Sequence, residues 1–193
     1  MKKVTLVCAL VLMAAVSAFA QHRETLNLGD FDRVKLDGNI RLYIEEDREA
    51  EVIVEARKSR YFDDYRMEVR NGVLYIKYRS HDFGSTPKLK VYLTHPELKG
   101  IDMDGFIYLN SNNTITSESL AIKGDGFIRG TVAVDVQSLK VGLDGFCFMS
   151  FEGKATKSDL RLDGMGRINA KDLDSQVLHK SADGLAGIPT RHH

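Results

Sequence analysis

The chain has little cysteine, little proline and no tryptophan. Its 193 residues include two cysteines and three prolines. Cys8 lies in an N-terminal apolar segment that we expect to be removed, so Cys147 has no partner and an internal disulfide is excluded. An excess of charge of one sign is also missing, because 27 basic residues balance 27 acidic ones. Such a chain needs no basic surface, and we therefore expect no nucleic-acid partner.

Long apolar runs are absent except at the N-terminus. Residues 1–20 combine two lysines, an uncharged apolar run and the small-residue pattern AFA before Gln21, which is typical of a secretory signal peptide. Its removal leaves 25 basic residues against 27 acidic ones, a net charge of −2. No later run is long enough to span a bilayer. We expect one exported domain, residues 21–193, in the periplasm, on the outer surface or outside the cell.

One short motif is abundant. An Asp-Gly pair followed by an apolar residue recurs in steps of 21, 19, 19 and 20 residues, and a further copy starts 67 residues before these. Apolar and polar residues alternate upstream of each late pair, which is the period of a β-strand with one buried face. The six pairs begin at Asp37, Asp104, Asp125, Asp144, Asp163 and Asp183.

Repeats of this length, built from short strands, leave no room for crossover helices. They predict an all-β fold, a single right-handed parallel β-solenoid, with regular coils over residues 101–188 and an irregular β region over residues 21–100. Irregular hairpin stacking in a β-sandwich is the competing architecture. Within the irregular region Asn71-Gly72 predicts a hairpin, Lys88 to Thr94 predicts a strand, and residues 56–65 could hold a helical turn or two.

The order of three segments resembles a known family. FDRVKLDGNIRLYI, VLYIKY and LKVYLTHPELKGIDMDG follow one another as in the head GIN domain family of "putative auto-transporter adhesins", common in Bacteroidetes-type bacteria. The resemblance covers almost the whole chain after residue 20, and it implies a signal peptide, a right-handed parallel β-solenoid and an exported, adhesin-like protein. Where the family usually has Ser-Gly-Ser-Gly, this chain has Asp-Gly-Phe-Ile, Asp-Gly-Phe-Cys or Asp-Gly-Met-Gly.

The repeated aspartates are expected to stand in register, about 4.8 Å apart along the stack of strands. A ladder of Asp104, Asp125, Asp144 and Asp163 could hold calcium, which accepts oxygen ligands. The interpretation that we favour is that each Asp bonds the backbone of its own turn. On that interpretation the chain has no metal site and no cofactor. The histidines lack paired metal-ligand spacing apart from the two terminal ones, and we expect them at the surface.

Paired carboxylates also suggest a carbohydrate-active enzyme, either a polysaccharide lyase or a glycosidase. A periodic column, however, gives every Asp the same surroundings, so nothing keeps one protonated beside an ionised neighbour. Cys147 falls at an inward position and is expected to be a buried side chain, and no serine stands in a nucleophile-elbow motif. We therefore expect no catalytic residue and a non-enzymatic binding or structural module of the cell envelope, with the enzyme as the alternative.

The residue two places after each late Asp is apolar. If alternation continues through the motif, these side chains form an outward stripe, which is typical of a contact for self-association, a surface protein or a glycan. If a bulge at the glycine reverses the alternation, the same side chains are buried. The sequence leaves both arrangements open. The residues concerned are Phe106, Phe127, Phe146, Met165 and Leu185.

Overall fold

The structure is a computed structural model that describes residues 22–79 and 86–191. The predicted signal peptide lies outside these residues. The described part consists almost entirely of β-strands, with one short helix. The elements are β1 (His22–Leu26), β2 (Arg33–Glu46), β3 (Glu51–Ala56), α1 (Arg60–Asp63), β4 (Tyr65–Arg70), β5 (Val73–Tyr78), β6 (Leu89–His95), β7 (Gly100–Ser111), β8 (Ile115–Ala182) and β9 (Leu185–Gly187).

All nine strands belong to one sheet, in the order β1-β3-β6-β2-β7-β8-β9, with β5 beside β2 and β4 beside β5. One edge of β2 is shared by β5 and β6, and its other edge pairs in parallel with β7 over residues 33–44. Parallel pairing then continues from β7 to β8 and from β8 to β9. The parallel register of the repeats therefore already includes the first Asp-Gly pair, at Asp37.

The sheet is mixed, which corrects the prediction of a parallel β-solenoid throughout. Strands β1 and β3, β3 and β6, and β4 and β5 pair antiparallel. The pair β4–β5 is the hairpin predicted at Asn71-Gly72, and both of these residues have positive φ, 52° and 73°. Such a two-residue turn joins only antiparallel strands, so β4 runs antiparallel to β5, whereas β5 itself pairs in parallel with β2. The all-β class is confirmed.

Strand β8 spans 68 residues, and segments of it that are about 19 positions apart lie side by side. The ring of Phe127 contacts that of Phe146, 19 positions later in the chain, with centroids 5.3 Å apart. We call each pass of the chain that carries one Asp-Gly pair a level. Inward residues of successive levels fill a single apolar core that includes Leu36, Ile107 and Phe151.

Tyr65 covers the first level of the stack. Its ring lies where a Cβ on Gly38 would come within 3.1 Å, and its hydroxyl donates to the carbonyl oxygen of Pro87 at 2.7 Å. The same hydroxyl accepts from the backbone N–H of Asn39 at 3.3 Å. Burial raises the pKa of Tyr65. The hydroxyl is therefore a neutral hydrogen-bonding group that ties β2 to the segment before β6.

His95 is buried, contrary to the expectation that the histidines lie at the surface. Its Nε2 lies 2.5 Å from the carbonyl oxygen of Phe31, and its Nδ1 accepts the backbone N–H of Glu97 at 3.1 Å. One donor and one acceptor define a neutral imidazole that joins the end of β6 to the segment before β2.

In the described residues, no helix has the length and apolar content that a membrane crossing requires.

Candidate functional site

The candidate site is organised by glycines that stack on one another from level to level. An added Cβ at Gly145 would lie 2.7 Å from the carbonyl oxygen of Gly126, and one at Gly164 would lie 2.5 Å from that of Gly145. Gly126 and Gly145 have φ values of 107° and 91°, which side chains rarely tolerate. The backbones of successive levels thus approach closely at this position. The residues just before and just after each glycine consequently stack as columns.

The Asp column consists of the residues before these glycines, and its carboxylates are exposed at the five later levels. The predicted bond from Asp to its own turn is formed at Asp183, whose Oδ1 accepts the N–H of Gly184 at 2.8 Å. Asp37 lies 4.0 Å from Lys77. Within residues 22–79 and 86–191, no hydrogen bond or ion pair engages the other four carboxylates. These four are Asp104, Asp125, Asp144 and Asp163.

The turn conformation at these levels therefore depends on glycine rather than on a side-chain bond from Asp. Among the described residues, no group of three or more His, Cys, Asp or Glu side chains is arranged to hold a metal ion. A concave surface of about 470 Å³ lies on the Asp side of the glycines, between Lys35, Asp102, Asp104, Lys123 and Asp125. Its three carboxylates are all exposed.

Alternation continues through the motif. The residue two places after each Asp is exposed at every late level, and the next residue is buried at Ile107, Ile128 and Cys147. The outward arrangement is thus the one that the structure adopts. Cys147 is fully buried, its Sγ lies 3.2 Å from the carbonyl oxygen of Asp144, and burial raises its thiol pKa to about 11.

The apolar stripe is the outward column of Phe106, Phe127, Phe146, Met165 and Leu185. These side chains are 63%, 37%, 39%, 43% and 77% exposed, respectively. The rings of Phe106 and Phe127 stack with centroids 6.0 Å apart, and those of Phe127 and Phe146 stack at 5.3 Å. Phe148, which is 46% exposed, meets Phe146 edge-on at 5.1 Å. All the sequence-predicted contact residues are therefore brought together on one surface.

A flanking column of basic and aromatic residues lies beside the stripe, two residues further along each level. Arg129 and Arg41 both approach the ring of Tyr108, each at 5.9 Å from its centroid. A concave surface of about 490 Å³ lies between Tyr108, Arg129, Phe146 and Phe148. The flanking column comprises Arg41, Tyr108, Arg129, Phe148 and Arg167.

The sequence did not indicate how far this aromatic surface extends. Tyr43 stacks on Tyr92 at 5.2 Å and meets Tyr108 at 6.2 Å, which adds β2 and β6 to the surface. Two-residue alternation places Tyr43 on the same face as Arg41, so its part in this surface could have been predicted from the sequence. Tyr92 had no such signal, because its place depends on the pairing of β6 with β2.

Comparisons with known proteins agree with this architecture. A family model described as "Putative auto-transporter adhesin, head GIN domain" matches residues 30–189. A search of curated proteins gave no match.

Several solved structures share the fold. A "putative adhesin" from Bacteroides fragilis has a TM-score of 0.82 at 19% identity, over 88% of this chain and 79% of that one. A "putative adhesin" from Parabacteroides distasonis has a TM-score of 0.64 at 17% identity, over 89% and 82%. A "Putative lipid binding protein" from the same species has a TM-score of 0.61 at 15% identity, over 89% and 92%. Identities this low show a common fold.

Proposed function

Because the chain belongs to the head GIN domain family of "putative auto-transporter adhesins", we propose that it is a non-enzymatic, exported binding module of the cell envelope whose contact surface is the apolar stripe. The observation that carries the proposal is the outward alignment of three phenylalanines, a methionine and a leucine over five levels. The core is complete without them, so folding does not require large apolar side chains at these positions.

The exposed apolar area of the stripe is comparable to the largest apolar patch of a typical monomer. At about 150–250 Å² per aromatic side chain, the exposed parts of the three stripe phenylalanines and Phe148 amount to roughly 280–460 Å². The largest apolar patch on a typical monomer is about 300–600 Å² and is often functional. Met165 and Leu185 enlarge the patch further. A surface of this kind supports a role in binding.

The orientation of the rings favours an apolar protein surface over a glycan. Phe127 is inclined by 29° to Phe106 and by 17° to Phe146, so the ring faces are turned towards one another. The faces of Phe127 are thus directed at its two neighbouring rings, and it offers mainly its edge to a partner. Sugar rings are held against aromatic faces, whereas apolar side chains pack well against edges. The similarity to a "Putative lipid binding protein" extends to the fold and carries no argument for a lipid ligand here.

The rival function is a carbohydrate-active enzyme that uses aspartates of the Asp column. The place for it would be the concave surface that contains Asp104 and Asp125. Both carboxylates are exposed there, so their surroundings give no reason for one to act as an acid and the other as a base. Release of reducing sugar from a polysaccharide, lost on Asp104→Asn or Asp144→Asn, would establish the rival function.

The proposal also covers the winding of the strands and the location of the protein in the cell. We infer that β7, β8 and β9 wind as a right-handed solenoid, with support from the stacked glycines and the parallel register of the levels. Such a solenoid presents the stripe as a straight, rigid ridge. Export is inferred from the N-terminal sequence, and mass spectrometry of the chain recovered outside the cytoplasm should find Gln21 as its first residue.

Binding can be tested on a panel of purified surface proteins and polysaccharides. The test variant is Phe106→Ser with Leu185→Ser, which changes the two most exposed side chains of the stripe. The control is Val177→Ser, because Val177 is an exposed apolar residue outside the stripe. We expect binding by the parent chain and by the control, and at least a tenfold loss for the double variant, equivalent to about 1.4 kcal/mol. Equal binding by all three proteins would refute the proposed contact surface.

A further inference from the structure

We propose that the partner of the apolar stripe is a second copy of this chain, related by a two-fold axis that runs parallel to the direction in which the levels stack. This inference deepens the proposed function and rests on the stripe being a contact surface. It follows from three properties of the surface: the area and composition of the stripe, the columns of opposite charge on either side of it, and the lack of partners, among the described residues, for the two charges at the level of Met165.

The surface has the composition of a homodimer interface. Interface cores are enriched in aromatic residues, methionine and arginine, and are depleted of lysine, aspartate and glutamate. The stripe over the five late levels and its flanking column contain phenylalanine, tyrosine, methionine, leucine and arginine, with no lysine and no carboxylate, and the flanking position of the last level is Gly187. A standard interface buries about 800 Å² per partner, of which about 65% is apolar in homodimers. The exposed apolar area of the stripe and Phe148 approaches the apolar share of such an interface.

The charges beside the stripe are arranged asymmetrically. The Asp column lies two residues before the stripe on every level, and the flanking column lies two residues after it. At three levels the flanking residue is an arginine. Two of these levels place Asp125 and Arg129, or Asp163 and Arg167, on opposite sides of the stripe. The third places Asp37 and Arg41 on either side of Asn39, one level before the stripe begins.

Only one two-fold arrangement makes these charges complementary. An axis parallel to the stack keeps each level opposite itself and exchanges the two sides of the stripe. Asp125 and Asp163 of one copy then face Arg129 and Arg167 of the other, while stripe packs on stripe. An axis parallel to the strands would instead place aspartate against aspartate and arginine against arginine, which is repulsive. Equal spacing of the charges on the two sides lets the stripe lie on the axis.

The charges at the level of Met165 have no partner within residues 22–79 and 86–191. Among the residues that the structure describes, neither the carboxylate of Asp163 nor the guanidinium of Arg167 makes a hydrogen bond or an ion pair. Both side chains are exposed. In the proposed dimer each one meets the opposite charge of the second copy, twice per dimer because of the symmetry.

The test is a charge exchange at this level, followed by light scattering and native mass spectrometry. We expect a dimer for the parent chain, and a dimer weakened at least tenfold for Asp163→Arg alone and for Arg167→Asp alone. An equimolar mixture of these two variants should form a heterodimer, because two arginines in one chain then face two aspartates in the other. The chain that carries both substitutions should dimerise with itself. Asp135→Arg, an exposed charge change elsewhere on β8, is the control and should dimerise as the parent does.

Three results would overturn the inference: a monomeric parent chain, single variants that stay monomeric on mixing, or an equal loss in the Asp135→Arg control. Binding of the parent chain to phospholipid vesicles, lost on Phe106→Ser without any dimer in solution, would identify a lipid surface as the occupant and would also overturn it. The proposed function is tested separately, because a monomeric chain that binds a protein on the panel through the stripe would retain that function without the dimer.

Discussion

Neighbouring residues on β7 should differ sharply in what they contribute to stability. Phe106 is 63% exposed and Ile107 is 1% exposed, although they are adjacent in the chain. Full burial of such a side chain contributes about 1.5–3 kcal/mol, and folding buries only about a third of Phe106, which gives roughly 0.5–1 kcal/mol. Loss of the stacking contact with Phe127 adds about 0.5 kcal/mol or more. Phe106→Ser should therefore lower the free energy of unfolding by about 1 kcal/mol, and at most by about 2.

Ile107→Ala removes a fully packed side chain and leaves a cavity, which costs about 2–5 kcal/mol. The two variants should be compared by urea denaturation followed by circular dichroism, at chain concentrations low enough for the protein to be monomeric, with Phe106→Tyr as a control that keeps the ring. We expect the midpoint for Ile107→Ala to fall at least twice as far as that for Phe106→Ser, and the midpoint for Phe106→Tyr to stay close to that of the parent chain. A Phe106→Ser variant as unstable as Ile107→Ala would refute the outward alternation on which the contact surface depends.

Two further predictions concern the stacked backbone and the buried thiol. Gly145→Ala would place a Cβ 2.7 Å from the carbonyl oxygen of Gly126 at a φ of 91°, so we expect a loss of at least about 1–3 kcal/mol in a thermal melt. Gly142→Ala, where the added Cβ meets nothing within 4 Å, should leave the melt within about 0.5 kcal/mol, and equal losses would contradict the stacking. Burial raises the pKa of Cys147 from 9.0 to about 11, so stability that is present below pH 9 should decline as the pH rises towards 11. Cys147→Ala should decline less than the parent chain, because only the raised pKa values of Tyr65 and Tyr92 then contribute to the decline. Equal declines in the two proteins would argue against a raised thiol pKa.

The sequence predicts the parts of the fold that depend on local rules. Two-residue alternation places Ile107, Ile128 and Cys147 inside, because side chains on a strand point to opposite faces in turn. Asn71-Gly72 predicts the β4–β5 hairpin, because both residues accept the positive φ that its turn requires. The Asp-Gly repeat predicts the register between levels, since glycine is the residue that permits so close an approach of backbones.

The parts that depend on distant contacts were not predictable. Antiparallel pairing of β1 with β3 and of β3 with β6 has no local signal, so the mixed sheet could not be anticipated. The burial of His95 depends on the carbonyl oxygen of Phe31, 64 positions earlier in the chain. The sequence left open whether the stripe side chains face solvent or the core, because a glycine with positive φ can either keep or shift the alternation. The packed core determines which occurs.

Two features of the monomer are individually unfavourable. A row of phenylalanine edges faces solvent, and beside it four stacked carboxylates have neither a hydrogen bond nor an ion pair within the described chain. Neither feature improves the core, and like charges at this spacing repel one another. A copy placed stripe against stripe covers the rings and brings an arginine to two of the four carboxylates, those of Asp125 and Asp163, so one operation acts on both features. A surface protein with a matching apolar ridge would cover the rings alone. The charge pattern is therefore the stronger reason to identify the partner as the chain itself.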